Sequence, residues 1–188
     1  MRRAVFLDRD GTILDELGYL TPDSTIHVYP FSIDAIRLFS RAGFAVVVIT
    51  NQGGIGLGLY DHAFVDRTHA GLSAQFAAGG ATIDGWYYCP HHPEAVVPEF
   101  KMVCECRKPA TGLVTAAARD LDIDLEASWV VGDQWRDIEV AHRTGARSVL
   151  VRTGYGRRLE TNWPADVAKP TIIADNLAEA AAQILTSL

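Results

Sequence analysis

The chain has 188 residues, 48% hydrophobic and 21% charged, with a formal net charge of −6 and a pI of about 5.4. That length suits one domain, residues 1–188, with a core to bury. The acidic balance argues against a duplex nucleic-acid binder, which needs a basic surface against phosphate. No run approaches the roughly 18 apolar residues of a membrane span, and the four after Met1-Arg2-Arg3 are too few for a signal-peptide core, so a cytoplasmic chain is expected.

The first predicted strand, Ala4–Leu7, runs straight into Asp8-Arg9-Asp10-Gly11-Thr12. Strand side chains alternate faces, so Asp8 and Asp10 should share a side. Two like charges so placed need a cation or a shared proton. A helix follows over Phe31–Arg41, with Ile33, Ile36, Leu38 and Phe39 on one side and Gly43 as its stop. The second strand, Ala45–Thr50, ends in Thr50-Asn51-Gln52-Gly53-Gly54. A second helix, Asp61–Ala78, leads to a third strand, Trp86–Tyr88. Between Pro90 and Pro109 the periodicity is lost, and this proline-rich stretch reads as an inserted loop. A third helix, Leu113–Leu121, precedes the fourth strand, Trp129–Val131, which ends in Gly132-Asp133-Gln134-Trp135-Arg136-Asp137. A short helix over Ile138–Arg143, a fifth strand over Ser148–Val151 and a helix over Leu177–Leu185 complete the pattern. Strands and helices in alternation predict an α/β fold, a doubly wound, Rossmann-like parallel sheet.

In such a sheet, ligands bind outside the carboxyl ends of the strands. The residues following strands one, two and four should therefore meet at one edge. Asp8, Asp10, Asp133 and Asp137 would form an acidic pocket suited to Mg²⁺. With the cation present, one carboxylate can attack phosphorus and another can move a proton. Thr50 and Asn51 offer a hydroxyl, an amide and backbone N–H groups to phosphate oxygens. Lys108, in Cys106-Arg107-Lys108-Pro109, offers an ammonium to a phosphoryl group in transfer. Taken singly, these pieces read as turns, a helix cap and a surface charge; their order after successive strands is what joins them. The three cysteines are too few and too local for a disulfide framework. Cys89-x-His91, twelve residues, then Cys104-x-Cys106 make a Cys₃His set for a structural Zn²⁺. Such an ion would order a loop, about 89–109, that has little core of its own. Spacing alone leaves His92 as a rival to His91.

The segments "FLDRDGT" at 6–12, "VVVITNQGG" at 46–54, "CRKP" at 106–109 and "VVGDQWRD" at 130–137 resemble the haloacid dehalogenase superfamily of phosphotransferases. The resemblance implies Asp8 as nucleophile and Asp10 as general acid/base, with Thr50 and Lys108 around the phosphoryl group. It implies Mg²⁺ on the Asp8 carboxylate, the Asp10 backbone carbonyl and Asp133, with Asp137 supporting Lys108 or the metal. "DGWYYCPHHPE" at 84–94 and "CECRKP" at 104–109, with "DELGYL" at 15–20 and "LVRTGYG" at 150–156, look like one branch without a large cap domain. That branch is the heptose-bisphosphate phosphatases, whose close kin act on histidinol phosphate. Its likeness implies a small phosphorylated sugar as substrate and favours His91 over His92 as the zinc ligand. It also implies a sugar site lined by Glu16, Leu17, Gly18 and Tyr19 and by Asn51, Gln52 and Gly53, with Arg107 beside Lys108 and with Gln134. No nucleic-acid or membrane partner is expected, and a monomer is.

Three departures bear on the second phosphate. The branch usually has Ser at Gly53, Ala-Arg-Gly at Gly56-Leu57-Gly58 and Lys at Gln134. Histidinol phosphate, with one phosphate and a cationic amine, is the rival substrate. A signalling receiver phosphorylated on aspartate would share the sheet, but Asp10 would shorten its phosphate's life and the zinc loop would have no part in it.

Overall fold

The computed structural model describes residues 1–21 and 23–187. Its centre is one six-stranded sheet in the order β3-β2-β1-β4-β5-β6, every pairing parallel. The strands are β1 Ala4–Leu7, β2 Ala45–Asn51, β3 Gly85–Cys89, β4 Trp129–Gly132, β5 Arg147–Val151 and β6 Ile172–Ala174. The helices are α1 Ser32–Arg41, α2 His62–Ala78, α3 Gly112–Leu121, α4 Trp135–Thr144, α5 Gly156–Thr161 and α6 Leu177–Thr186, and Pro98–Phe100 forms a 3₁₀ turn.

Alternation builds the two layers. Val5 and Leu7 of β1 join Val46 and Val48 of β2 and pack on Ile36 and Phe39 of α1, Leu72 and Phe76 of α2, and Leu177 and Ile184 of α6. Ala4 and Phe6 face the other way, with Val47 and Ile49, onto Leu113 and Val114 of α3 and Val140 of α4. Both faces are covered, which is why the strands read as nearly continuous apolar runs. β1 is the central strand, flanked by β2 and β4, and the strand order reverses there, which places a ligand crevice at their carboxyl ends. After β1, residues 8–31 make only isolated bridges, so no cap sheet stands over that crevice among the described residues.

The structure departs from the sequence reading at three elements. β6 is a three-residue strand, and α5 carries Arg157, Arg158 and Glu160 with no apolar stripe, so neither has a periodic signal. Helix α4 starts at Trp135, not Ile138: the Asp137 carboxylate accepts from Gln134 N–H at 3.1 Å, and this capping contact starts the helix ahead of its buried apolar face, which begins at Ile138. No helix among the described residues is long and apolar enough to cross a membrane.

Candidate active site

Asp8 follows β1 directly, and its N–H donates to Val131 O at 2.9 Å, extending the β1–β4 ladder by one bond. Its Oδ1 accepts from Lys108 Nζ at 2.8 Å. Lys108, only 4% exposed, also donates to Asp137 Oδ1 at 2.6 Å and to Ile49 O at 3.0 Å, which uses all three of its N–H groups. Burial pushes this ammonium's pKa down, but Asp137 and Asp8 outweigh it and hold the pKa above the ordinary lysine value. Asn51 fixes the lysine backbone by a reciprocal pair: Nδ2 donates to Lys108 O at 3.1 Å, and Lys108 N–H donates to Asn51 Oδ1 at 3.0 Å. Asp137 therefore serves twice, one oxygen capping α4 and the other holding Lys108.

Asp133, after β4, is fully buried. Its Oδ2 accepts from Tyr155 N–H at 2.8 Å, while Oδ1 has no hydrogen-bond partner among the described residues. Gly11 (φ 80°) and Gly154 (φ 52°) press against this carboxylate, and a Cβ on either would run into it. Thr153 Oγ1, donating to Gly11 O at 2.6 Å, ties the two turns together. Burial first, then Asp8 and Asp137, raise the pKa of Asp133. Carboxylate oxygens of Asp8, Asp133 and Asp137 all lie within 4.8 Å of one another. An orphaned, buried carboxylate oxygen in a cluster of hard oxygen donors fits a divalent cation such as Mg²⁺.

Asp10 does not enter that cluster with its side chain. β1 ends at Leu7, so Asp10 stands in the turn after the strand; it lines the same cavity as Asp8. Its carboxylate turns to Arg9 and to Gln52 Nε2, the latter at 3.1 Å. Gln52, expected at the sugar site, is buried and not among the residues lining the cavity: Nε2 also donates to Thr50 Oγ1 at 2.9 Å, and Oε1 accepts from Tyr60 OH at 2.9 Å. Leu17 is likewise outside the cavity lining, 47% exposed. The other expected residues, Glu16, Gly18, Tyr19, Thr50, Asn51, Gly53, Arg107 and Gln134, line one cavity together with Asp8, Asp10, Lys108 and Asp137. Arg136 and Tyr155 line it too. Both sit in segments quoted for their likeness, yet nothing in their spacing marked them. Burial, with smaller contributions from Asp10 and Asp8 and against the Gly18 N–H bond, pushes the pKa of Glu16 up to about 7.

On the far side of Lys108, Cys89, His91, Cys104 and Cys106 bring four donor atoms within 4.8 Å of one another. The sulfur–sulfur distances are 3.1 to 3.5 Å, and His91 Nδ1 lies 3.2 Å from Cys106 Sγ. A tetrahedral site with metal–sulfur bonds of about 2.3 Å has sulfur–sulfur edges of about 3.8 Å, close to this arrangement. His92 stands apart, its Nδ1 accepting from Glu94 N–H at 3.1 Å. Burial, then the neighbouring Cys106 thiol, raise the pKa of Cys89, the opposite of what a bound dication would do. Arg107, next to Cys106, donates to His91 O at 3.0 Å, so the cluster and the cavity wall share a backbone.

A 3-2-1-4-5-6 sheet with acidic residues after β1 and β4 and a buried lysine between them is the arrangement of a haloacid dehalogenase-like phosphatase. Residues 105–180 match the HAD-hydrolase-like family. The chain is 43% identical over 153 residues to D-glycero-beta-D-manno-heptose-1,7-bisphosphate 7-phosphatase of Escherichia coli K12, covering 80% of each chain. It is 40% identical over 185 residues to the Pseudomonas putida enzyme of the same name, covering 97% of this chain and 99% of that one. The crystal structure of D,D-heptose 1,7-bisphosphate phosphatase from B. bronchiseptica, complexed with magnesium and phosphate, matches with a TM-score of 0.86 at 32% identity over 99% of both chains. The chain belongs to the D-glycero-D-manno-heptose 1,7-bisphosphate 7-phosphatase family.

Proposed function

We propose that this chain is a Mg²⁺-dependent phosphatase that removes the 7-phosphate of D-glycero-D-manno-heptose 1,7-bisphosphate through an aspartyl-phosphate. The observation that carries the reading is the Asp8 carboxylate at the cavity floor, bonded to Lys108 and clustered with Asp133 and Asp137. An Asp8 oxygen attacks the phosphorus, the bond from phosphorus to the sugar oxygen breaks, and Asp10 gives that oxygen its proton. The sugar monophosphate leaves. Asp10 then takes a proton from a water whose oxygen attacks the same phosphorus. The Asp8–phosphorus bond breaks, inorganic phosphate departs, and both aspartates return to their starting states. Lys108 exchanges one of its three bonds for a phosphate oxygen and offsets the charge spread over the phosphoryl group, beside the Thr50 hydroxyl. Mg²⁺, held by Asp8, the Asp10 backbone carbonyl and Asp133, supplies positive charge to the phosphate oxygens when bound.

Cys89, His91, Cys104 and Cys106 would hold a Zn²⁺ that orders the 89–109 loop on which Arg107 and Lys108 stand; with four protein ligands it would be structural. Arg107, with a fork suited to phosphate, and Arg136 at the same cavity receive the second phosphate, while Gln134 donates without adding charge. Glu16 and Tyr19 face the sugar hydroxyls. Steady-state kinetics on heptose 1,7-bisphosphate, histidinol phosphate, hexose phosphates and p-nitrophenyl phosphate test the assignment. The bisphosphate is expected to give the highest kcat/KM; a higher value for histidinol phosphate would replace the substrate and leave the chemistry.

A further inference from the structure

Arg9 lies between the two site aspartates in sequence, yet it is 1% exposed and takes no part in the Lys108 network. Its guanidinium grips both oxygens of Asp10, Nε to Oδ2 at 3.1 Å and Nη2 to Oδ1 at 3.0 Å. Its Nη1 meets His69 Nε2 at 3.3 Å. A guanidinium only donates, so Nε2 is the acceptor and the His69 proton sits on Nδ1. His69 is buried on α2, its ring stacked on Trp86 of β3 at 4.3 Å and 20° and edge-on to Tyr88 at 5.8 Å. Burial, and after it Arg9, keep the imidazole neutral, so it does not repel the cation it orients.

We propose that Arg9 and His69 are positioning residues that hold the Asp10 carboxylate in one plane for proton transfer, with Oδ1 as the oxygen that carries the proton. This rests on the reading of Asp10 as the acid/base group. Asp10 lies beyond the end of β1, held by an isolated bridge to Leu14 rather than by the sheet. A planar two-point fork sets the carboxylate plane, which a single point charge cannot do. Among the described residues, Oδ2 accepts from both Arg9 and Gln52, whereas Oδ1 accepts from Arg9 alone, which leaves a lone pair for a proton.

The test compares kcat/KM on two substrates. Heptose bisphosphate expels an alkoxide that needs a proton; p-nitrophenyl phosphate expels an oxygen that does not. Asp10→Asn sets the scale of the difference between them. Arg9→Lys keeps the charge, and His69→Phe keeps the stack on Trp86. Each is expected to lower kcat/KM about 10²-fold on the bisphosphate and less than about tenfold on p-nitrophenyl phosphate. His69→Gln restores an acceptor for Arg9 and should recover most of the loss. Equal losses on both substrates, or no loss, overturn the clamp while leaving the role of Asp10 intact. If Asp10→Asn itself shows no difference between the substrates, the acid/base reading falls and the clamp falls with it. Should His69→Phe fail to fold by circular dichroism, Arg9→Lys decides by the same comparison.

Discussion

Lys108 shows how a single side chain can be recognised from sequence and still be incompletely described. Its place in Cys106-Arg107-Lys108-Pro109 suggests a cation for a phosphate, but its three N–H groups are already taken by Asp8, Asp137 and Ile49 O. It therefore also holds Asp8 in place and neutralises buried charge. If Asp8 forms the covalent intermediate, Asp8→Asn should lower kcat at least about 10³-fold and leave no phosphoprotein on rapid quenching. A variant that turns over at near wild-type rate with Mg²⁺ rules the covalent route out. His69 gives a pH prediction. Burial and Arg9 pull its pKa from 6.5 to about 3, so between those values the unfolded chain binds a proton that the folded one refuses. Stability should fall as pH drops below about 6.5, with a limiting slope of about 1.4 kcal/mol per pH unit. Urea titrations at pH 7 and pH 5 should show this loss in the wild type and less of it in His69→Gln; parallel losses would mean His69 does not stay neutral.

At the scale of elements, the site is made by strand ends and the turns after them. The turns at Gly11 and Gly154 close on the Asp133 carboxylate from two sides. In Gly154→Ala the new Cβ must displace that carboxylate, and the Mg²⁺ concentration for half-maximal activity should rise about 10- to 100-fold. An unchanged Mg²⁺ titration would show that Asp133 does not serve the metal. The 89–109 loop depends on a different device. Its main-chain anchors include Val96 N–H and Val97 N–H, which donate to Gly56 O, and its centre is the Cys₃His cluster. Protein prepared without chelator should carry about one zinc per chain, and Cys104→Ser should lose it together with thermal stability. Metal analysis that finds no zinc in the wild type removes the structural role.

For the molecule as a whole, on the proposed function, an acidic chain must still hold a substrate with two phosphate groups. The net charge of −6 gives no long-range attraction, so recognition falls to local cations. Arg107 and Arg136 border the cavity, and Arg107 is tied to the 89–109 loop through His91 O. Arg107→Ala should therefore cost about 10- to 100-fold in kcat/KM on heptose 1,7-bisphosphate and much less on p-nitrophenyl phosphate, which has no second phosphate. Equal losses would move Arg107 to the reacting phosphate.

The sequence by itself determined the parallel sheet and the edge at which the site lies. Runs such as Ala45–Thr50 fill a strand buried on both faces, and in a doubly wound sheet whatever follows such strands gathers at one end. The Cys₃His set was legible from spacing, though the choice of His91 over His92 was not, because adjacent residues differ only in which way each points. The tertiary structure alone decided the partners. Arg9 reads in sequence as a charge between two aspartates; in the fold it is buried against a histidine sixty positions away. Gln52 and Leu17 leave the cavity lining, and Arg136 and Tyr155 enter it, because the direction of a loop side chain follows from packing and hydrogen bonds, not from periodicity. Short, polar or edge elements such as α5 and β6 carry no signal in the sequence for the same reason: they are held by the neighbours they pack on rather than by a pattern of their own.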